Sequence, residues 1–271
     1  MTEITTNPRL GVLAQAFSKA ASDTGVSFDF LVKTAARESS LQPEAEAKNS
    51  SAAGLFQFVE QTWLAMVSRH GAAQGLASEA ASIQQTKSGR YSVTGAAMRD
   101  RILKLRYDPQ VATAMAAKLT QENGQALQQK LGRAPTDGEL YVAHFMGAGR
   151  AGELLQAAIK TPGRIAQQMF PQEAAANPAI FSTSKGNARS VADVVKNLMK
   201  AHTSAPDPSL MSLGKSDVSL TPIAAFVGQR SFTNVMANTM VRSPLLQLSP
   251  TIIRLLSELS APSTTKDDIK K

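Results

Sequence analysis

Apolar residues in this chain recur at the three- and four-residue spacing of a helix, not at the alternation of a half-buried strand. Alanine is abundant and runs of β-branched residues are few, which favours helix further. The spacing therefore predicts an all-α protein. With 43% apolar residues over 271 positions, the chain can bury a sizeable core, as one large domain or as one domain with an appendage.

Local signals set the expected helix ends. Residues 1–7 read as a loose tail. Asn7-Pro8 opens a first helix, with Leu10, Leu13 and Phe17 on its apolar face and Gly25 at its end. Ser27 can cap a second helix, with Asp29 in its first turn, and Pro43 forces that helix to stop before it. Residues 42–54 read as a polar loop, and 55–70 as an apolar helix ended by Gly71. Residues 96–132 read as one or two helices broken near Tyr107-Asp108-Pro109. Thr136 with Glu139 makes a capping box for the helix carrying Tyr141 and His144, which Gly147 and Gly149 end. Residues 150–160 form another helix, and Pro162 starts a short one. Residues 171–189 and 202–224, rich in Ala, Pro, Ser, Thr and Asn, suit linkers. Between them Ser190 caps an amphipathic helix. A further apolar stretch runs from Leu245 to Leu259, and the last residues form a tail. The expected organisation is a tail over 1–7, a domain over 8–170, and a linker plus helical region over 171–271.

Composition excludes several chemistries. The chain has no cysteine, so disulfides, thiol catalysis and Cys-ligated metals are ruled out. His70, His144 and His202 lie far apart in sequence and form no metal-binding spacing, and no cofactor is expected. There is no run of about 18 apolar residues, so no membrane span is expected, and the N-terminus does not read as a secretory signal. The net charge of +8 is spread along the chain and suits an anionic polymer or mere solubility. The densest basic stretch, Arg99, Arg101, Lys104 and Arg106, scatters round a helix without interleaved aromatics. It reads as a solvated face, not a nucleic-acid stripe.

The densest chemical signal is residues 36–58, ARESSLQPEAEAKNSSAAGLFQF. Leu31, Ala35 and Glu38 share one helix face, so Glu38 points where apolar residues point. Desolvation and the helix C-terminus both disfavour its ionised form. A carboxylic acid kept protonated is what glycoside cleavage needs for its leaving oxygen. On physics alone, an ion pair with Lys33, Arg37 or a distant arginine accounts for Glu38 slightly better.

Residues 35–58 resemble the first motif of the lytic transglycosylases with a soluble-transglycosylase (goose-lysozyme-like) domain. That family runs Glu-Ser, an apolar residue, any residue, Pro, a small-residue loop, then Gly-Leu-aromatic/Met-Gln. Here it stands as Glu38-Ser39-Ser40-Leu41-Gln42-Pro43, Ser51-Ala52-Ala53 and Gly54-Leu55-Phe56-Gln57-Phe58. The family's Ala-Tyr-Asn-Ala-Gly-x-Gly resembles Ala143-His144-Phe145-Met146-Gly147-Ala148-Gly149, with Tyr-Asn replaced by His144-Phe145. The resemblance covers about residues 8–170.

It implies a helical lysozyme-like lobe with a groove for several sugars, acting on peptidoglycan glycan strands in the periplasm. Glu38 would be the single acid and base that cleaves the MurNAc–GlcNAc bond, leaving 1,6-anhydro ends. Ser39 and Gln57 would bond the sugar, and Phe56 would pack on it. Tyr141, His144 and Phe145 would complete the binding side, with His144 or Tyr141 taking the place of the family's tyrosine beside the acid. Glu44, Glu46 and Glu60 are candidate second carboxylates, which would restore hydrolysis. A non-catalytic glycan-binding module and a hydrolytic muramidase are the alternatives. By family analogy the C-terminal region would recruit a wall-crossing assembly such as a flagellum, secretion system or phage particle.

Overall fold

The computed structural model describes residues 8–47 and 50–203, and within them the protein is predominantly helical. Helix α1 spans Pro8–Thr24 and α2 spans Phe28–Ser39. Gly25, at φ +73°, makes the turn between them. Ser27 accepts from the Phe30 N–H at 3.0 Å and so caps α2, while Lys33 pairs with Asp29 at 2.7 Å along it.

The next helix, α3, spans Glu60–His70. The apolar run predicted to be helical from residue 55 instead spends residues 54–58 in a turn. The cause is local: Gln57 holds φ +49°, and Ala53 and Phe58 exchange both backbone hydrogen bonds. Helix α3 is followed by the short α4 (Ala77–Ala81) and by a hairpin of β1 (Ile83–Gln85) and β2 (Tyr91–Val93), in the register Ile83↔Val93. The helical spacing of the sequence does not predict this hairpin.

Helix α5 spans Ala96–Lys104 and α6 spans Pro109–Leu131, with a single tight turn over Leu105–Tyr107. Asp108 caps α6 by accepting from the Gln110 and Val111 N–H groups, which places the break where the Asp-Pro pair predicts it. Helix α7, Asp137–Lys160, begins at the predicted capping box and breaks at Gly147 (φ +76°, ψ 149°), so it is two helical halves joined by a kink.

Residues 171–189 do not form a linker. They continue from α8 (Ala166–Met169) through α9 (Pro171–Ala176) and α10 (Pro178–Phe181), and the chain returns by bridges pairing Ser182 with Ala188 and Ile165 with Ser190. Phe170 and Phe181 are fully buried. Pro171 and Pro178 each open a helix at its first turn, so the proline-rich composition starts short helices here. Helix α11, Val191–Thr203, is capped by Ser190 as expected and lies along α7. Its buried stripe is Val191, Val194, Leu198 and His202, and Gly138 of α7 leaves room for Met199. The boundary drawn at residue 170 therefore cuts through a continuous core. Residues 245–259 and the C-terminal tail lie outside the described residues.

The core centres on Trp63, fully buried, whose ring N–H donates to the Ile102 carbonyl at 2.7 Å. Phe58 meets its ring edge-on at 5.1 Å, and Phe17, Phe30, Leu31, Leu55, Met66, Met115 and Phe170 belong to the same buried cluster. Burying each such side chain contributes about 1.5–3 kcal/mol. Among the described residues no helix is long and apolar enough to cross a membrane.

Candidate active site

The end of α2 carries Arg37, Glu38 and Ser39. Leu31 and Ala35 are fully buried, and Glu38, on their face but at the helix end, keeps 17% of its side chain exposed. Ser40 and Leu41 follow with φ of +54° and +61°, the Ser40 N–H capping the Ala36 carbonyl and the Leu41 N–H the Ala35 carbonyl. The chain thus turns sharply away, leaving the Glu38 carboxylate at an edge of the core.

Ser39 is buried, and its hydroxyl is committed to backbone. It lies 3.0 Å from the Ala35 carbonyl and 2.8 Å from the Leu55 carbonyl, and accepts from the Gln42 N–H. It ties the acid's helix to the Gly54–Phe58 turn and is not free to bond a sugar. Phe56 is likewise a core residue, set edge-on to Phe17 with centroids 6.3 Å apart. Phe145 is also buried in the core. The family-derived roles of Phe56 and Phe145 as sugar contacts therefore fail on burial. Gln57 is half-buried, and its amide nitrogen donates to Ala45 and Gly54 carbonyls at 3.1 and 2.9 Å. Its side-chain oxygen has no protein partner among the described residues.

Arg106 explains why this turn is rigid. It is buried, and its guanidinium donates to the Ser51, Phe58 and Leu103 carbonyls. Burial draws its pKa down from the usual arginine value. Gly54, at φ +81°, sits so close that a Cβ would collide with the Arg106 carbonyl. The predicted solvated basic face forms in part: Arg99, Arg101 and Lys104 keep solvent-exposed side chains, whereas Arg106 does not. Arg99 pairs with Glu60, Arg101 with Glu79 at 2.8 Å, and Arg106 is inside. Lone buried carbonyls on a distant loop leave no sequence mark, so this role was not legible.

Across from Glu38 stands the first half of α7. The Tyr141 hydroxyl donates to Glu38 Oε1 at 3.3 Å, and His144 Nε2 lies 3.4 Å from the same oxygen. Glu38 Oε2 has no protein partner among the described residues. Among the described residues no arginine pairs with Glu38, and the basic side chain placed against it is His144. Glu46 accepts from the Tyr107 hydroxyl and Glu60 pairs with Arg99, so neither candidate second carboxylate is bonded at the acid. Glu44 is exposed.

Tyr141 is itself boxed in. The Arg37 guanidinium lies 4.3 Å from its ring centroid, His144 stacks at 5.7 Å, and His202 of α11 stacks at 4.4 Å with 21° between planes. Burial, then the negative charge of Glu38, raises the Tyr141 phenol above its ordinary range, so it stays a donor.

No protein-family model matches the chain.

Two histidines that are 58 positions apart in sequence, His144 and His202, thus meet on one tyrosine ring. Burial, then the charges of Arg37, His144 and Lys33, pulls His202 down to a pKa of about 3, so its ring is neutral. Among the described residues no group of three or more His, Cys, Asp or Glu is placed to hold a metal ion. What the arrangement offers is one partly shielded carboxyl with one free oxygen, hydrogen-bonded by a neutral phenol.

Proposed function

We propose that residues 8–203 form a lysozyme-like lobe that cleaves peptidoglycan glycan strands as a lytic transglycosylase, with Glu38 as its acid and base. The observation that carries this reading is the partly shielded Glu38 carboxyl, whose Oε1 accepts from the neutral Tyr141 hydroxyl and faces His144 Nε2 at 3.4 Å, with no arginine paired to it among the described residues. Its side chain keeps 17% exposure at the core edge, the approach a sugar would take to Oε2.

In the first step Glu38 gives its proton to the glycosidic oxygen as the C1–O4 bond of N-acetylmuramic acid breaks. The resulting carboxylate is stabilised by the Tyr141 hydrogen bond, which strengthens as charge develops. The substrate's own N-acetyl oxygen supports C1, so no second carboxylate is needed. Glu38 then takes the proton of the muramoyl 6-hydroxyl as that oxygen attacks C1. The product is a 1,6-anhydro end, and no water is consumed. Gln57, through its unpartnered side-chain oxygen, accepts from a substrate N–H, and His144 lines the same side. The site of action is the periplasm, and any docking to a wall-spanning assembly is assigned to residues beyond 203.

The test is the mass of the products that wild-type protein releases from purified peptidoglycan. Anhydromuramic ends, lighter than hydrolysed ends by one water, are expected. Reducing ends would replace this reading with hydrolysis, and intact glycan that is bound but uncut would replace it with a binding module.

A further inference from the structure

The residue that backs the acid's partner comes from the far end of the described chain. We propose that His202 is a positioning residue for Glu38, acting through the Tyr141 ring, so that α11 completes the catalytic site. This rests on the reading of Glu38 as the acid and base.

Three observations carry it. The His202 ring is the closer of the two imidazoles stacked on Tyr141, at 4.4 Å against 5.7 Å for His144. Its Nε2 is 3.1 Å from the Thr34 hydroxyl, and Thr34 stands one helical turn before Glu38 on α2. One ring thus braces the tyrosine of α7 and is pinned to the helix that bears the acid. Lastly, Arg37, next to Glu38, reaches the Leu198 carbonyl of α11 at 3.4 Å while lying over the same tyrosine ring. Helix α11 therefore touches the acid's helix and the acid's hydrogen-bond donor together.

The choice of histidine needs a cause, because this position ends an otherwise aliphatic stripe of Val191, Val194 and Leu198. A leucine there would fill space without cost. The histidine instead leaves its Nδ1 buried with no hydrogen-bond partner among the described residues. Buried polar atoms without partners are rare, and a retained one calls for a reason. A flat neutral ring with one polar edge both stacks on a phenol and bonds Thr34, which no aliphatic side chain does. Burial first, and then the charges of Arg37, His144 and Lys33, keep the ring neutral. The neutral ring adds no charge beside Glu38 that would pair with its carboxylate.

The experiment is a double-mutant cycle on the full chain. His202→Ala and His202→Phe are each made with Tyr141 intact and with Tyr141→Phe, and kcat and KM are measured on peptidoglycan. With Tyr141 intact, His202→Ala is expected to lower kcat about tenfold with KM within about twofold, because misplacing a catalytic group is costly. His202→Phe keeps the stack but loses the Thr34 bond, and is expected to recover kcat to within about threefold of wild type. In the Tyr141→Phe background, His202→Ala costs less than about twofold, since the hydroxyl it positions is gone. Equal losses in both backgrounds would overturn the proposal, as would no rescue by phenylalanine.

A second readout is independent of turnover. With 13C-labelled glutamate, the Glu38 carboxyl resonance in His202→Ala should move toward its position in Tyr141→Phe, and should hold near wild type in His202→Phe. If wild type cleaves no glycan, the proposed function falls while this resonance still decides the positioning claim. A Glu38 resonance indifferent to His202→Ala overturns the proposal whatever the activity.

Discussion

Glu79, Glu139 and Glu173 are each almost fully buried, and each is met by an arginine; Glu38 is less buried and is not. Arg101 reaches Glu79 at 2.8 Å, and Arg133 grips both oxygens of Glu139 at 2.6 and 2.8 Å. Arg150 does the same to Glu173 at 2.8 and 3.3 Å. For Glu139 the Arg133 hydrogen bonds, ahead of every other influence, keep the carboxyl below the ordinary carboxylate range. A group held that way cannot exchange a proton cheaply. Glu38 meets the Tyr141 phenol and the His144 imidazole at one oxygen, and a phenol bonds a carboxyl without fixing its charge. The difference teaches which carboxylates fasten helices and which one is available for chemistry.

The contrast can be broken experimentally. Its largest expected consequence, short of changing Glu38, is at Tyr141. Tyr141→Phe should lower kcat about 10- to 100-fold, the effect of one charge-stabilising hydrogen bond. Its melting temperature should stay close to wild type, because the ring and its stack remain. A large loss of stability with kcat unchanged would make Tyr141 one more fastening residue.

The neutral histidine behind that phenol gives a sharper, pH-dependent test. His202 has a folded pKa of about 3 against an ordinary 6.5. Between those values the unfolded chain binds a proton that the folded protein refuses. Stability from this group is therefore complete above pH 6.5 and falls as pH drops toward 3, at up to about 1.4 kcal/mol per pH unit. Denaturant melts from pH 7 to 4 should show a shallower acid loss for His202→Phe than for wild type. Parallel curves would mean that His202 is protonated in the fold.

The smallest effect is expected where the contrast predicts structure without chemistry. Glu173→Gln keeps the shape and removes the charge facing Arg150. It should cost about 1 kcal/mol, kept low because Arg150 is itself more than a third exposed. Cleavage rate at 25 °C should not change. A fall in kcat with little change in melting would tie Glu173 to the site.

How much of this was legible in the sequence follows how local each cause is. Ser27, Thr136 with Glu139, and Ser190 are capping residues whose partners lie three positions away, and each helix start read from them is where the chain places it. Glu38 was legible from its spacing to Leu31 and Ala35. His202 was not: the Thr34 hydroxyl it meets is 168 positions away, and its segment was split between a helix and a linker. Its place four residues after Leu198 on an apolar stripe was the available clue. Phe56 and Phe145 were assigned to sugar by motif position, but motif position does not say which side chains the core takes. Arg106 was read from its neighbours on a helical wheel, whereas a tight turn and the 51–58 carbonyls set its environment.

The central claim is that Glu38 carries the proton in glycan cleavage. Its most direct test sets purified peptidoglycan before wild type and Glu38→Gln, matched in melting temperature, and follows release of muropeptides. Anhydromuramic products are expected from wild type, and a rate at least about a thousandfold lower from Glu38→Gln, the loss expected when the sole acid and base is removed. A Glu38→Gln protein that still releases those products within about tenfold of wild type would contradict it.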